Sequence, residues 1–287
     1  MSNVIFIFVD GIGVAPPSDH NPFARANIPT LRRLMEQAMT PIDATLGMPG
    51  LPQSGTGQAT LMTGENCARI HGAHFGPYPP SRVRPVLNEH NLFSQCVRLG
   101  MRVEFVNAYP QRYFDYLAAH PAMKPSIASS FEVAGHALHT ADDLIAGRAV
   151  SADVKGERWN EMGFGNVTPI SLHEAGARLA LLASDKPFTM FEYWLTDKAG
   201  HKQDMPAACD ALERLDGMLD GLLETMDHER TTLVITSDHG NMEDLSVPTH
   251  TLNPVPLIAV GAHATALLDG ATSLMDVAPR ILGALVS

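Results

Sequence analysis

Short apolar runs alternate along the chain with longer segments of helical periodicity. Four such runs, rich in β-branched or aromatic residues, cover residues 4–9, 188–195, 232–236 and 255–260. Runs of this length are typical of buried strands. Amphipathic helices are predicted at 172–184 and around the leucines at 212–223. The alternation predicts an open α/β sheet covered by helices, whose chemistry belongs at the carboxyl ends of the strands.

The remaining segments are assigned by their turn and cap signals. Helices are predicted at 29–35 with Thr30 as N-cap, at 91–99 ended by Gly100, and at 126–137, 140–147 and 275–282, with a strand at 102–108. We expect one domain, 1–287, in which residues 75–185 form an insertion-like cap region over the carboxyl edge of the sheet.

Three predicted strands end in a carboxylate, and histidines follow at the same strand ends. The residues concerned are Asp10, Asp197, Asp238, His201, His239 and His250. A turn or cap role would explain any one of these residues alone, but not the repetition. Two adjacent divalent ions explain the whole set, and oxygen and imidazole ligands without thiolate suit zinc or manganese. Such a metal pair, about 4 Å apart, can activate a nucleophile and clamp a phosphoryl group.

The glycine-rich segment 50–64 becomes apolar and helical after Gly57. A hydroxyl group at the entry to a helix lies near free backbone N–H groups, which favour an alkoxide or a bound phosphate. Ser54 is therefore a candidate nucleophile, with Thr56 as the rival. A simple helix cap is the alternative interpretation of Ser54.

Charge and cysteine content narrow the class of protein. Lys plus Arg is 20 against Asp plus Glu 31, a net charge of -11, so nucleic acid and anionic membranes are not expected partners. The three cysteines are widely spaced without a CxxC pair, which favours a reducing cytoplasm over a disulfide framework. The apolar run 4–9 is too short for a membrane span or a signal peptide. The oligomeric state is left open.

Taken together, these segments resemble the alkaline phosphatase superfamily, in particular the metalloenzyme domain of cofactor-independent phosphoglycerate mutase and phosphopentomutase. The resemblance covers about the first 75 and the last 100 residues. It lies in Asp10-Gly-Ile-Gly, Asp197-Lys-Ala-Gly-His, Thr236-Ser-Asp-His-Gly-Asn-Met-Glu and His250-Thr-Leu-Asn-Pro-Val-Pro-Leu. The turn at Ser54 also resembles the nucleophile turn of nucleotide pyrophosphatases/phosphodiesterases. The chain is most similar to stand-alone metalloenzyme-domain proteins.

The resemblance implies a three-layer α/β/α sandwich with a mostly parallel sheet and two metal sites. It assigns Asp197, His201 and His250 to one ion, and Asp10, Ser54, Asp238 and His239 to the other. Ser54 would form a phosphoserine during hydrolysis of a small phosphate ester. The alternatives are a phosphomutase of a small phosphorylated metabolite and a non-catalytic metal-holding module.

Three departures from the family pattern limit what the resemblance implies, and the third, the short insertion, favours the hydrolase over the mutase. Gln58 stands where the mutases have a histidine, and Gly57 stands where the phosphodiesterases have an asparagine. The insertion is also about half the size of the substrate domain of phosphoglycerate mutase. Candidate substrate contacts are Gln58, Arg82, Arg84, Asn107 and Lys198.

Overall fold

The structure, a computed structural model, describes residues 2–287, and a six-stranded sheet forms its centre. Its strands are β1 (Asn3–Val9), β2 (Met39–Ile42), β3 (Val103–Phe105), β4 (Phe188–Tyr193), β5 (Thr231–Thr236) and β6 (Val255–Gly261). The strand order is β2-β6-β5-β1-β4-β3. β1 runs parallel to β4 and β5, β3 runs parallel to β4, and β6 is antiparallel to β5 and β2. The predicted α/β fold with a mostly parallel sheet is confirmed.

Fourteen α-helices surround the sheet in the part of the chain from 2 to 287. They are α1 (Pro29–Gln37), α2 (Ser54–Thr63), α3 (Cys67–His71), α4 (Arg84–His90), α5 (Leu92–Arg98), α6 (Gln111–Ala119), α7 (Ser126–Val133), α8 (Ala141–Ile145), α9 (Glu157–Glu161), α10 (Leu172–Ala183), α11 (Leu195–His201), α12 (Met205–Thr225), α13 (Ala264–Leu268) and α14 (Val277–Val286). Across these described residues, no helix combines the length and apolar character that crossing a membrane requires.

The sheet is covered on both faces, which explains why its central strands are buried throughout and predominantly apolar. Phe6 and Phe8 of β1 point into a core completed by α2 and α14, among other helices. The alternate residues Ile5 and Ile7 point into a second core made with α1, α10 and α12. Every residue of β1, β4 and β5 is buried. The three layers are therefore helices, sheet and helices.

Segment 75–185 contributes both to the main core and to a smaller cluster of its own. Phe93 on α5 and Phe131 on α7 pack against Phe105 of β3 within the main core. A separate cluster gathers Ala108, Leu144, Ala149, Trp159 and Val167. The part of the segment that includes β3 is thus continuous with the sheet, and the part around Trp159 packs on itself.

Several predicted boundaries were wrong, and at α1 a distant residue contributes to the helix start. The prediction made Thr30 the cap of α1, but Pro29 is already helical, and Asp216 of α12 accepts a 2.6 Å hydrogen bond from the Leu31 N–H. α2 begins at Ser54 and not after Gly57. β2 was not predicted, and β3, α7 and α8 are shorter than the segments assigned to them.

Candidate metal centre

The sheet topology brings the three strand-end carboxylates together. β5, β1 and β4 are neighbours, so Asp10 after β1, Asp238 after β5 and Asp197 on α11 meet at one edge. Two hydroxyls join the loops: Thr196 donates a 2.5 Å hydrogen bond to the Asp10 carbonyl, and Ser237 accepts one of 2.9 Å from the backbone of the β1 loop. The carboxylates are therefore held by the same backbone that ends the strands.

The first group of side chains surrounds the Nε2 atom of His239. This nitrogen lies 3.4 Å from Asp10 Oδ1, 3.4 Å from Asp238 Oδ2 and 3.0 Å from Ser54 Oγ. One ligand atom from each of Asp10, Asp238 and His239 lies within 4.8 Å of the others, and all three residues are buried. The arrangement places the Ser54 hydroxyl at the rim of a carboxylate–imidazole cluster.

The second group faces the first from the side of α11. His201 Nε2 lies 3.3 Å from Asp197 Oδ2 and 3.1 Å from His250 Nε2, which is itself 3.6 Å from Asp197 Oδ1. The Nδ1 atoms contact backbone carbonyls at 2.9 Å in His201 and 2.7 Å in His250. Since a carbonyl only accepts, each Nδ1 carries a hydrogen and each Nε2 presents a lone pair when the ring is neutral.

The two groups are adjacent. The rings of His239 and His250 stack with centroids 3.7 Å apart and an interplanar angle of 16°. Ligand atoms of Asp197, His239 and His250 also lie within 4.8 Å of one another, so His239 is within reach of both groups. The structure therefore brings together all seven side chains that the sequence proposed as ligands.

The electrostatics of this edge fit bound cations. In residues 2–287, Asp10 Oδ1 and both Asp238 carboxyl oxygens are buried without a hydrogen-bond partner, and no Lys or Arg forms a salt bridge with either residue. Burial raises the pKa of Asp238 to about 8 and, together with the charge of Asp238, raises the pKa of Asp10. Burial, with His250 nearby, lowers the pKa of His239. Buried carboxylate oxygens that receive no hydrogen bond, together with neutral imidazole rings, form a suitable ligand set for divalent metal ions.

Two positioning residues were missed by sequence reasoning. Asn241 donates a 2.6 Å hydrogen bond to Asp197 Oδ1. The buried Glu243 accepts hydrogen bonds from the backbone N–H groups of Gly13 at 2.7 Å and Asn241 at 2.8 Å, and also from the Thr251 hydroxyl. A Cβ at Gly13 would lie 2.3 Å from the Glu243 carboxylate, so this loop requires glycine there. Both residues lie within the recognised Asp238 motif, and that proximity was the available signal.

Ser54 reaches the centre because the backbone of helix α2 packs closely against the backbone of the Asp238 loop. A Cβ at Gly57 would lie 2.9 Å from the Asp238 carbonyl oxygen, so the absence of a side chain lets α2 pack directly on the Asp238 loop. Thr56 is fully buried, and its hydroxyl is within 3.2 Å of the Gln53 carbonyl and 3.4 Å of the Phe75 carbonyl. Ser54, not Thr56, is therefore the hydroxyl that faces the cluster.

Two of the five candidate substrate residues lie beside the candidate metal ligands. The amide of the buried Gln58 donates a 3.2 Å hydrogen bond to Asp10 Oδ2, so this residue orients a carboxylate of the centre. Lys198 follows Asp197 on α11, with its ammonium 5.6 Å from the ring centroid of Trp194.

The other three candidates are not brought into the cluster. Asn107 is used by the fold, because its amide pairs with both the N–H and the carbonyl of Glu192, at 2.8 and 2.7 Å. Arg84 donates a 2.6 Å hydrogen bond to the Ala122 carbonyl, and Arg82 is exposed.

Glu192 is a buried acid within strand β4, and sequence reasoning did not identify it as part of the site. Burial raises its pKa to about 7, although interaction with the Tyr109 hydroxyl opposes that shift. Its charge also contributes to the raised pKa of Asp10. In addition to Glu243, a further buried carboxyl group therefore lies close to the ligands.

Comparisons with known proteins agree with this architecture. A family profile described as the Metalloenzyme superfamily matches residues 2–286. The 2,3-bisphosphoglycerate-independent phosphoglycerate mutase of Laribacter hongkongensis is 39% identical over 93 residues, which are 30% of this chain and 18% of the mutase. The match thus spans less than a fifth of that relative's length.

Two solved structures share the fold at low sequence identity. Alkaline phosphatase from the Antarctic bacterium TAB5 superposes with a TM-score of 0.57 at 12% identity, covering 99% of this chain and 97% of that chain. The phosphonate monoester hydrolase of Silicibacter pomeroyi gives 0.58 at 15% identity, covering 100% and 73%. With the family profile covering nearly all its residues, this chain belongs to the Metalloenzyme superfamily, an alkaline phosphatase-like group that includes metal-dependent phosphoryl-transfer enzymes.

Proposed function

We propose that the protein is a metal-dependent hydrolase of small phosphate esters that uses two divalent ions, zinc or manganese. One observation carries the proposal. The Ser54 hydroxyl lies 3.0 Å from His239, at the rim of buried carboxylates that no cation of the described chain neutralises. A nucleophile beside a two-metal ligand set is sufficient for phosphoester hydrolysis.

We assign the two groups of side chains to separate ions. Asp197, His201 and His250 would hold one, because their ligand atoms converge within 3.6 Å and both Nδ1 atoms are already engaged by carbonyls. Asp10, Asp238, His239 and Ser54 would hold the other. Asn241 and Gln58 hydrogen-bond to these ligands, and Glu243 holds the Asn241 backbone, as outer-shell neighbours do in known metal sites.

The ions, when bound, would lower the pKa of a hydroxyl or water and balance charge on the transferring phosphoryl group. The chain itself supplies the nucleophile and its placement. Ser54 is the first residue of α2, so its oxygen lies at the positive end of the helix dipole. Its oxygen bonds to phosphorus while the ester oxygen leaves as an alcohol. Water then breaks the Ser54–phosphate bond and releases inorganic phosphate.

A phosphomutase is the second candidate, because the curated relatives with matching segments include phosphoglycerate mutases. Those matches cover only 18 and 22% of the mutases, which leaves the groups that would retain a phosphoglycerate without an assigned counterpart. For this reason the hydrolase is preferred.

The three cysteines are free, which supports a reducing compartment such as the cytoplasm.

The test is incubation of the manganese- or zinc-loaded protein with phosphoglycerate or phosphopentose in ¹⁸O-labelled water. The proposal predicts labelled inorganic phosphate from the wild type and none from Ser54→Ala, with the metal content of that variant retained. Rearranged ester without free phosphate would establish the mutase instead. No turnover across a broad phosphoester panel would favour a non-catalytic metal-holding module.

A further inference from the structure

The buried carboxylate of Glu243 lies where three loops of the metal centre meet, and each of its oxygens accepts two hydrogen bonds. Oε2 accepts from the backbone N–H groups of Gly13, at 2.7 Å, and Asn241, at 2.8 Å. Oε1 accepts from the Thr251 hydroxyl and, at 3.0 Å, from the Asn253 amide. All four donors are neutral groups, and they come from three separate segments of the chain.

These three loops carry candidate ligands of both ions. The loop that contains Gly13 presents Asp10, and the loop that contains Asn241 presents Asp238. The third loop presents His250, directly before Thr251. Both carboxylates belong to the group around His239 Nε2, whereas His250 belongs to the second group. One buried carboxylate is therefore bound to the loops that serve both proposed ions.

The space around Glu243 is fitted to a carboxylate. A Cβ at Gly13 would lie 2.3 Å from the carboxyl carbon of Glu243, and a Cβ at Gly240 would lie 2.4 Å from its Oε1. The Gly240 carbonyl also accepts a 2.9 Å hydrogen bond from the Thr251 N–H, which joins two of the loops beside the carboxylate. Removal of the carboxylate would leave buried N–H groups without an acceptor, so the loops would have to move.

We propose that Glu243 is a positioning residue for both metal ions, because it fixes the ligand loops at the separation that a metal pair requires. This inference rests on the proposed two-metal centre. The four hydrogen bonds of Glu243 reach the loops and not the ligand atoms, so its effect passes through the backbone. Residues that orient metal ligands in this way contribute to metal affinity. Loss of Glu243 therefore weakens both ions, whereas loss of one ligand weakens the ion that it holds.

Two variants separate the hydrogen bonds of Glu243 from its volume. Glu243→Met has a side chain of similar length without an acceptor oxygen, and Glu243→Gln keeps one acceptor oxygen. Backbone N–H groups cannot turn, so the oxygen of the glutamine must face Gly13 and Asn241. The side chains of Thr251 and Asn253 then have to reorient around its NH₂ group. Glu243→Gln should accordingly preserve the first two loops better than the third.

The measurement is calorimetric titration of the metal-free protein with manganese, in which the binding step that His250→Ala removes identifies the ion held with Asp197. Glu243→Met should weaken both ions by roughly 10- to 100-fold, the range found for outer-shell partners. Glu243→Gln should recover most of the affinity for the ion held with Asp238 and less of the affinity for the other ion.

Asp216→Asn is the matched control. Asp216 is also a buried carboxylate that accepts a hydrogen bond from a distant backbone N–H, that of Leu31, but it joins α12 to α1, and neither helix carries a candidate ligand. This variant should melt below wild type and bind both ions as wild type does. Circular dichroism checks folding. If Glu243→Met does not fold, Thr251→Val removes one donor to Oε1 and should weaken the ion held with His250 more than the other.

The outcomes distinguish this inference from the proposals on which it rests. A wild type that binds fewer than two manganese ions would overturn the two-metal centre and this inference with it. Two ions in the wild type, with unchanged affinities in Glu243→Met or weakening of only one ion, would overturn the role of Glu243 alone. The same result follows if Asp216→Asn weakens both ions equally well, or if Thr251→Val, as the substitute test, changes neither. Turnover enters none of these measurements, so failure of the hydrolase proposal would leave them valid.

Discussion

Two groups of acidic and histidine side chains in this protein differ in how their charges are balanced. The first group surrounds His139. Its Nε2 atom lies 2.9 Å from Glu104 Oε1, and the nearby Asp143 accepts a 2.8 Å hydrogen bond from Arg148. Hydrogen bonding to the Thr140 backbone, with Arg148 adding, lowers the pKa of Asp143 to about 2. At the metal centre, burial instead raises the pKa of Asp238 to about 8.

The contrast separates structural from functional charge. The charges around His139 pair with one another through hydrogen bonds and salt bridges, so this group stabilises the fold. The Asp238 carboxylate has no such partner among the described residues, and the sheet edge and the hydrogen bonds of Glu243 hold its loop in place although burial of this carboxylate lowers stability. Buried charges in proteins are paired or coordinate metal ions, so a bound ion would complete this group. Three substitutions test the contrast.

The largest effect is expected for Asp238→Asn. If Asp238 binds a metal ion as proposed, its loss should reduce the proposed phosphatase turnover by more than about 100-fold, the upper end of the loss found for outer-shell partners. In excess chelator the variant should melt a few degrees above wild type, because an unpaired buried acid is removed. Phosphate release and calorimetric melting measure the two effects.

Asp143→Asn is the matched control for that substitution. It removes a paired carboxylate, so its melting temperature should fall by a degree or two while turnover stays at the wild-type value. A metal-free Asp238→Asn protein that melts below wild type would contradict the assignment of unpaired charge.

A smaller effect is expected for Asn241→Ala, which removes the 2.6 Å hydrogen bond to Asp197. Without that donor the carboxylate is less well oriented, so manganese affinity should fall by roughly 10- to 100-fold. Titration of the metal-free protein with manganese measures the change. Asn160→Ala is the control, since its amide binds only the Val167 backbone, far along the chain from the ligands, and it should alter stability alone. Unchanged affinity in Asn241→Ala would remove Asn241 from the site.

The smallest effect is a pH dependence at His139. Burial alone would lower the pKa of His139, but hydrogen bonding and the charges of Glu104 and Asp143 outweigh burial and raise it. The folded protein holds this proton more tightly than the unfolded chain, so the stabilisation is full below about pH 6.5. It is lost as the pH rises through the higher folded value, and it amounts to roughly 1 kcal/mol or less.

Urea unfolding of wild type and His139→Gln across this range measures the contribution of His139. The difference in unfolding free energy between the two proteins should shrink as the pH rises above 6.5. A difference that grows with pH would show that His139 is not held by its acidic neighbours.

The sequence predicted those features that depend on neighbouring residues. β1, β4, β5 and β6 were recognisable because burial makes their sequences predominantly apolar, β-branched or aromatic. The carboxylates after three of these strands could be placed together because parallel strands end at one edge. Local sequence was therefore enough to predict the main sheet strands and to propose the ligand set.

Features that depend on distant residues were not predictable in this way. Asp216 caps α1 from 185 residues away, and Asn107 pairs with the Glu192 backbone across the sheet edge. β2 is a short edge strand that contains Pro41, a residue disfavoured in strands, and its pairing with β6 alone defines it. The helical start at Ser54 depends on close packing of Gly57 against Asp238, which no local pattern records.

The central claim is that two ions complete the carboxylate–imidazole cluster at the edge of the sheet. The most direct test is the metal content per chain, by mass spectrometry, after loading with manganese or zinc and desalting. The wild type should retain two ions per chain, and His250→Ala should lose the ion held with Asp197 and His201 while keeping the other. A wild type that retains one ion or none, or a His250→Ala protein that loses both ions equally, would contradict the account.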